Sequence, residues 1–257
     1  MRHTLWRLLR LPIDDYLAAL TVFFDRLTPA SGLALAVSAV ASWWVYVPLH
    51  ELAHAFGCLL GGGTVTKLEI DEMYGAALLQ PLFPFISIGS DYAGRLSGFD
   101  TGGNDATYLL TDFLPFVATI ALGVPLLRAA ARPGRSAAAQ AAMFGAALPI
   151  AFAPFISLIG DYYEMGSIVV SRAAAPLRPG IELTRWRSDD LIALASERFG
   201  TTGDAGLADA LGIAAALLLG CLFAWLTYAA GVAWSVALER YVLRSKTDDA
   251  RPPAPAS

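Results

Sequence analysis

The sequence predicts an all-α polytopic membrane protein with about four transmembrane helices. Three observations carry this. Of 257 residues, 56% are hydrophobic and only 16% are charged, where a soluble domain carries about 25% charged residues. The apolar residues are concentrated in runs: Leu27 to Leu49, Ser136 to Gly160 and Ala210 to Leu238 hold no charge, and Thr107 to Leu127 holds only Asp112. Each run reaches the roughly 20 residues that a helix needs to cross a bilayer core. A net charge of −4 leaves no broad basic surface, which argues against a nucleic-acid partner. Both cysteines, Cys58 and Cys221, lie in apolar runs and suggest no disulfide framework.

Taken in order, residues 1–30 read as an interfacial N-terminal arm. Leu5, Trp6, Leu8 and Leu9 alternate with Arg2, Arg7 and Arg10, the pattern of a helix lying in the membrane surface. With no long apolar core and no small-residue cleavage site close behind, the segment does not read as a signal peptide. Spanning helices are expected near 31–60, 106–128, 136–160 and 207–244, the last with its apolar part at 208–240. Thr64-Val65-Thr66-Lys67-Leu68-Glu69-Ile70 is β-branched and partly alternating, so a short strand is expected there. Met73 to Ser90 is uncharged but carries Gly75, Pro81, Pro84 and Gly89, which suits a re-entrant hairpin over 64–90 better than a regular span. Residues 171–206 read as a polar loop with an amphipathic helix near 188–199, and 245–257 as a disordered tail. Arginines before the first span, at 128–135 and at 240–244 would lie in the cytoplasm by the positive-inside rule, while the five at 172–198 would fall outside.

The chemistry is concentrated at His50-Glu51-Leu52-Ala53-His54. The chain has three histidines and seven glutamates, and that composition produces HExxH by chance roughly once in a thousand chains. Positions i and i+4 share a helix face, so two imidazoles can hold one zinc ion from the same side. Their nitrogens should then lie about 3–4 Å apart. Glu51, one step round the helix, is placed to act as general base. Three polar residues within five positions of an apolar helix are costly in lipid, which favours a functional role over interhelical hydrogen bonding. Trp43, Trp44, Tyr46, Tyr162 and Tyr163 are read as interfacial aromatics rather than substrate contacts. Gly61-Gly62-Gly63 reads as a turn, since no Lys-Ser/Thr follows to make a phosphate loop.

His50 to Ala55, then Gly61-Gly62 and Val65 to Ile70, resemble the start of the site-2 protease family of intramembrane zinc metalloproteases. The resemblance covers about 31–170 and implies a three-helix metalloprotease core, formed by the spans near 31–60, 106–128 and 136–160. It further implies one Zn2+ per chain, held by His50, His54 and an aspartate from a later membrane helix, with Glu51 catalytic. Family members usually carry that aspartate in Leu-Asp-Gly. Here Asp161 stands in Gly160-Asp161-Tyr162 and the family's upstream asparagine is missing, while Pro149 and Pro154 match its proline-interrupted helix.

Asp161 is the expected third ligand, with Asp112, Asp91 and Glu164 as rivals. Asp161 ends the expected third span, on the membrane face where His50 and His54 end the first. Asp112, near the start of the antiparallel second span, reaches that face too. Asp91 is kept by an echo: Pro84-Phe85-Ile86-Ser87 precedes Asp91-Tyr92 at the spacing with which Pro154-Phe155-Ile156-Ser157 precedes Asp161-Tyr162.

The expected function is a zinc-dependent intramembrane endopeptidase that hydrolyses peptide bonds of membrane-associated protein segments. The alternative is a non-catalytic metal-binding membrane protein, a complex subunit or regulator that keeps the protease-like fold. A metal-dependent carrier is disfavoured because no second half repeats the ligand spacing. The expected partners are the lipid bilayer, a transmembrane protein substrate and a further membrane protein. The expected location is multi-pass in a bacterial cytoplasmic membrane. The loops over 61–105 and 171–206 are too short for a peptide-binding insert.

Overall fold

The computed structural model describes residue 6 and residues 9–176, 182–200 and 203–249. The chain is mostly helical, with one small sheet. Among the described residues, three helical stretches are long and apolar enough to cross a membrane: Pro29–Leu60, Asp105–Ala130 and Leu207–Tyr241. A fourth, Ala137–Ala151 followed by Ala153–Ile159, qualifies only as a pair bent by 43°.

Helix α1 (Leu11–Asp25) is not a free arm. Its buried Ala19, with Tyr16 and Phe23, packs against Leu127, Phe144 and Tyr228. Asp15 accepts from both Arg128 Nη1, at 2.7 Å, and the Tyr228 hydroxyl, at 3.1 Å. Most of the amphipathic pattern expected further upstream (Arg2, Leu5, Arg7 and Leu8) lies outside the described residues.

Helix α2 (Pro29–Leu60) starts at a capping box. Thr28 accepts from the Ser31 N–H, and the Ser31 hydroxyl accepts from the Thr28 N–H, satisfying two of the backbone donors a helix start leaves open. Leu33, Val37, Val40, Leu49 and Leu60 stay exposed along it, as suits a helix whose outer face meets lipid. Its other face packs on α6 (Ala137–Ala151). The contact is closest at Gly145, where an added Cβ would overlap the Leu35 carbonyl and the Ser38 hydroxyl, and Ser42 donates to the Ala146 carbonyl at 2.7 Å. Small residues that let backbones meet, together with hydroxyls that bridge helices, are the usual means of packing helices in lipid.

The segment after α2 is a three-stranded sheet, not a hairpin. Strand β1 (Thr64–Ile70) falls where the β-branched pattern places it. It pairs in parallel with β2 (Ile86–Ile88) and antiparallel with β3 (Gly94–Asp100), giving the order β2-β1-β3. The prolines and glycines that argued against a span lie in the β1–β2 connection and its ends, around the short helix α3 (Ala76–Leu79). Gly75 in that connection and Gly89 just after β2 adopt the positive φ that glycine tolerates best. Leu68, Ile70 and Ile86 turn inward onto Leu52 and Ala55 of α2, so the sheet is seated directly on the helix turn that carries the motif.

The second span is interrupted. Helix α4 (Asp105–Phe113) passes through a 3-10 turn at Leu114–Phe116 and a π turn at Thr119–Gly123 into α5 (Val124–Ala130). Pro115, which has no N–H to donate, sits at the first break. The expected third span also stops early. Helix α6 ends at Ala151; α7 (Ala153–Ile156) and a 3-10 turn, Ser157–Ile159, follow. Asp161 then opens a new helix, α8 (Asp161–Ala174), rather than closing the third span. Pro154, which cannot continue a helical ladder, stands in this bend.

Residues 171–174, expected as loop, belong to α8; the amphipathic helix expected near 188–199 is α9 (Leu191–Phe199). Helix α10 (Leu207–Asp249) runs into the segment expected as a disordered tail; 250–257 lie outside the described residues. Among the described residues, Arg172, Arg185, Arg187 and Arg198 are paired with acids, Arg185 with Asp209 at 2.5 Å and Arg187 with Asp105 at 2.7 Å; Arg178 lies outside the described residues. Tyr162 and Tyr163, read as interfacial, are fully buried and donate to the Thr227 hydroxyl and the Trp186 carbonyl. The two echoed Pro-Phe-Ile-Ser segments fold differently, one into β2 and the other into α7 and its 3-10 turn, so the echo is not a structural repeat.

Candidate metal centre

His50 and His54 project from one face of α2. Their Nε2 atoms lie 3.2 Å apart. The Asp161 carboxylate straddles them, with Oδ2 3.5 Å from His50 Nε2 and Oδ1 3.6 Å from His54 Nε2. Tetrahedral coordination with bonds of about 2.0–2.2 Å puts donor atoms about 3.3–3.6 Å apart. The three side chains already stand within about 0.1 Å of those separations, and two imidazoles with one carboxylate make a donor set that suits zinc.

The remaining ring nitrogens are committed. His54 Nδ1 faces the Thr111 carbonyl at 2.9 Å. A carbonyl only accepts, so Nδ1 carries the proton and, in the neutral ring, Nε2 keeps its lone pair for the centre. His50 Nδ1 lies 3.0 Å from the Tyr46 hydroxyl. Outer partners of this kind fix the tautomer and the ring plane of metal-binding histidines. Tyr46, expected as an interfacial aromatic, is instead buried against His50. Its signal was its position one turn before His50, on the same face.

The contact between α4 and α2 that brings the Thr111 carbonyl to His54 depends on Gly57. An added Cβ there would sit 2.5 Å from the Leu110 carbonyl oxygen and 2.8 Å from Thr111 Cα. Thr107 adds a hydroxyl bond to the Gly61 carbonyl at 2.7 Å.

Asp112 and Asp91 do not join the group. Among the described residues, the cluster of potential ligands is His50, His54 and Asp161. Asp91 is exposed in the β2–β3 loop. Asp112 is buried in α4 and lines the same cavity of about 300 Å³ as the histidines, Glu51 and Glu164. Glu164 accepts a hydrogen bond from the Tyr108 hydroxyl at 2.6 Å, and burial pushes its carboxyl above the ordinary range.

Glu51 stands beside the cluster without being part of it. Strand β3 begins against it: an added Cβ at Gly94 would overlap Glu51 Cγ and lie 2.9 Å from Cδ. Gly94, Arg95, Leu96 and Phe99 of β3 line the cavity opposite the histidines. Arg95 pairs with Asp189 at 2.7 Å, which holds the guanidinium further toward its charged form. The arrangement therefore gathers three nitrogen and oxygen donors at one point, an unshared carboxylate beside them and a strand edge across the cavity. Comparison with protein-family models, with curated proteins and with solved structures finds no match for this chain.

Proposed function

We propose that this chain is a zinc-dependent endopeptidase that cleaves membrane-associated protein segments inside the bilayer boundary. The observation that carries the reading is the convergence of His50, His54 and Asp161 at coordination spacing on helices embedded among apolar spans, with Glu51 next to them. His50, His54 and Asp161 would hold the ion. Zinc, when bound, supplies Lewis acidity that lowers the pKa of water and polarises a peptide carbonyl.

The chain's own residues do the rest. Glu51 takes the proton from the attacking water and returns it to the leaving amine, the role of a carboxylate poised as general base. The Thr111 carbonyl holds His54 in the ligand tautomer, and the Tyr46 hydroxyl orients the His50 ring. A substrate helix hides its peptide bonds in its own hydrogen bonds, so it must unwind to be cut. Strand β3 is one of the two edge strands of the sheet and borders the cavity. An extended peptide can add to such an edge through backbone hydrogen bonds, which fixes the scissile bond relative to Glu51. Strand β3 lies outside the expected 64–90 hairpin.

The test is cleavage of membrane-anchored reporters by wild type and by Glu51→Gln, with zinc content measured on the purified proteins. Glu51→Gln should retain zinc and lose at least about 10²–10⁴-fold in cleavage. Equal cleavage by both proteins refutes the role of Glu51. Stoichiometric zinc with no cleavage of any reporter by wild type favours a non-catalytic metal protein instead.

A further inference from the structure

The cavity holds a second acidic element that the proposed reaction does not use. Asp112 of α4 and Glu164 of α8 both line it, and both are more than nine-tenths buried, at 4% and 6% exposure. Tyr108, one helical turn before Asp112, binds Glu164 and so draws the two carboxylates to the same wall. Asp112 Oδ2 has no hydrogen-bond partner among the described residues. A carboxylate buried in a membrane helix without a partner is costly, and such residues mark functional positions.

The neighbouring cations are already engaged. Arg95 is paired with Asp189, Arg187 with Asp105 through both terminal nitrogens, and Arg172 with Asp105. His50 and His54 face Asp161. The wall thus presents two acids with no cation of their own to a cavity beside Glu51. The cavity sits toward the C-terminal end of α2, where the polar segment carrying Asp189 and Asp190 also lines it. At that depth a transmembrane segment carries its flanking lysines and arginines.

We propose that Asp112 and Glu164 form a subsite for a cationic side chain of the substrate, a lysine or arginine close to the scissile bond. This rests on the endopeptidase reading. The paired acids accept the ammonium or guanidinium by charge-assisted hydrogen bonds, and the basic residue fixes the register of the strand laid along β3.

The experiment uses full-length Glu51→Gln protein, loaded with zinc, and a fluorescent transmembrane peptide in which a single lysine or glutamine is scanned through the flank. One position should bind lysine at least about tenfold tighter than glutamine, the scale expected when a buried charge finds its partner. Asp112→Asn combined with Glu164→Gln should abolish that preference and leave glutamine-peptide binding unchanged. Glu164→Gln alone should reduce it, which serves should the Asp112 variants not fold. The proposal is overturned if the peptides bind and wild type cleaves them with no lysine preference, or if the preference survives the double substitution. It is equally overturned if wild type holds two zinc ions and the double variant one, which would make the acids a second metal site. If zinc is bound but no peptide is bound or cleaved by any form, the endopeptidase reading itself fails and the subsite falls with it.

Discussion

Tyr46→Phe isolates one atom of the centre. The substitution removes the hydroxyl that lies 3.0 Å from His50 Nδ1 and keeps the ring that packs with Phe116 and Tyr162. His54 provides the internal comparison, because its Nδ1 is held by a main-chain carbonyl that no side-chain substitution can delete. Losing an outer partner of a metal-binding histidine typically costs about 10–100-fold in metal affinity, equal to about 1.4–2.8 kcal/mol. Tyr46 is buried, so removing its hydroxyl also carries a separate stability loss of about 1 kcal/mol, and fold and affinity must be measured apart. The assay is competition for zinc between the purified protein in detergent and a chelating dye, with thermal unfolding of both metal-free proteins alongside. Tyr162→Phe is the control: it also loses a buried hydroxyl bond, to Thr227, but touches neither histidine, and its zinc affinity should stay within about twofold of wild type. A Tyr46→Phe protein that folds and binds zinc as tightly as wild type would refute the claim that Tyr46 orients His50.

Four further outcomes are expected. Gly94→Ala drives a methyl into Glu51 and should depress reporter cleavage more than tenfold while zinc stays stoichiometric; unchanged cleavage would show that the Glu51 position is not critical. Gly57→Ala forces α2 and α4 apart at the Leu110 carbonyl and should cost about 1–3 kcal/mol of stability, read as a lowered Tm, together with weaker zinc binding through the displaced Thr111 carbonyl. Asp161→Asn should weaken zinc binding strongly whereas Asp91→Asn should not, and the reverse in metal titrations would reassign the ligand. Chelation should lower the Tm of wild type, since free zinc at 100 times its Kd stabilises the folded state by about 2.7 kcal/mol; His54→Ala should show no such shift.

What could be read from sequence follows from how local each signal is. Three of the four expected spans were legible because a long run with almost no charge has few alternatives, and β1 because Val65, Thr66 and Ile70 favour a pleated strand. Strand β3 was hidden: Gly94 and Gly98 dilute its alternation, yet both are glycine because Glu51 and the bulged stretch at Thr66–Lys67 press against the backbone there. The histidine pair is set by helix periodicity alone. Asp161 was placed among rivals by reasoning about which membrane face each span reaches, but its true setting, the first residue of α8 after a break, came from Pro154 acting on a chain whose path depends on packing with α10. Tyr162 and Tyr163 were misread for the same reason. Nothing in Gly160-Asp161-Tyr162-Tyr163 states that α10 lies over it, close enough that Gly166 has no room for a Cβ beside the Ala216 carbonyl.

The break between α6 and α8 makes the two sides of the centre mechanically unequal. His50 and His54 ride on a continuous helix whose neighbouring turn is clamped by the sheet and by α4, so their spacing is inherited from the helix repeat and resists adjustment. Asp161 follows a bend of 43°, where the ladder of α6 gives way to the single turn of α7 and then a 3-10 turn, whose poorer hydrogen-bond geometry makes this the easier side to adjust. Coordination would thus join a stiff jaw to a compliant one, and an ion of the wrong radius would be accommodated by Asp161 rather than by the histidines. Hydrogen exchange over Phe152–Gly160, compared with and without bound ion, reads that compliance directly: slowing confined to this segment on binding is the expected result, and unchanged exchange there would refute the inequality.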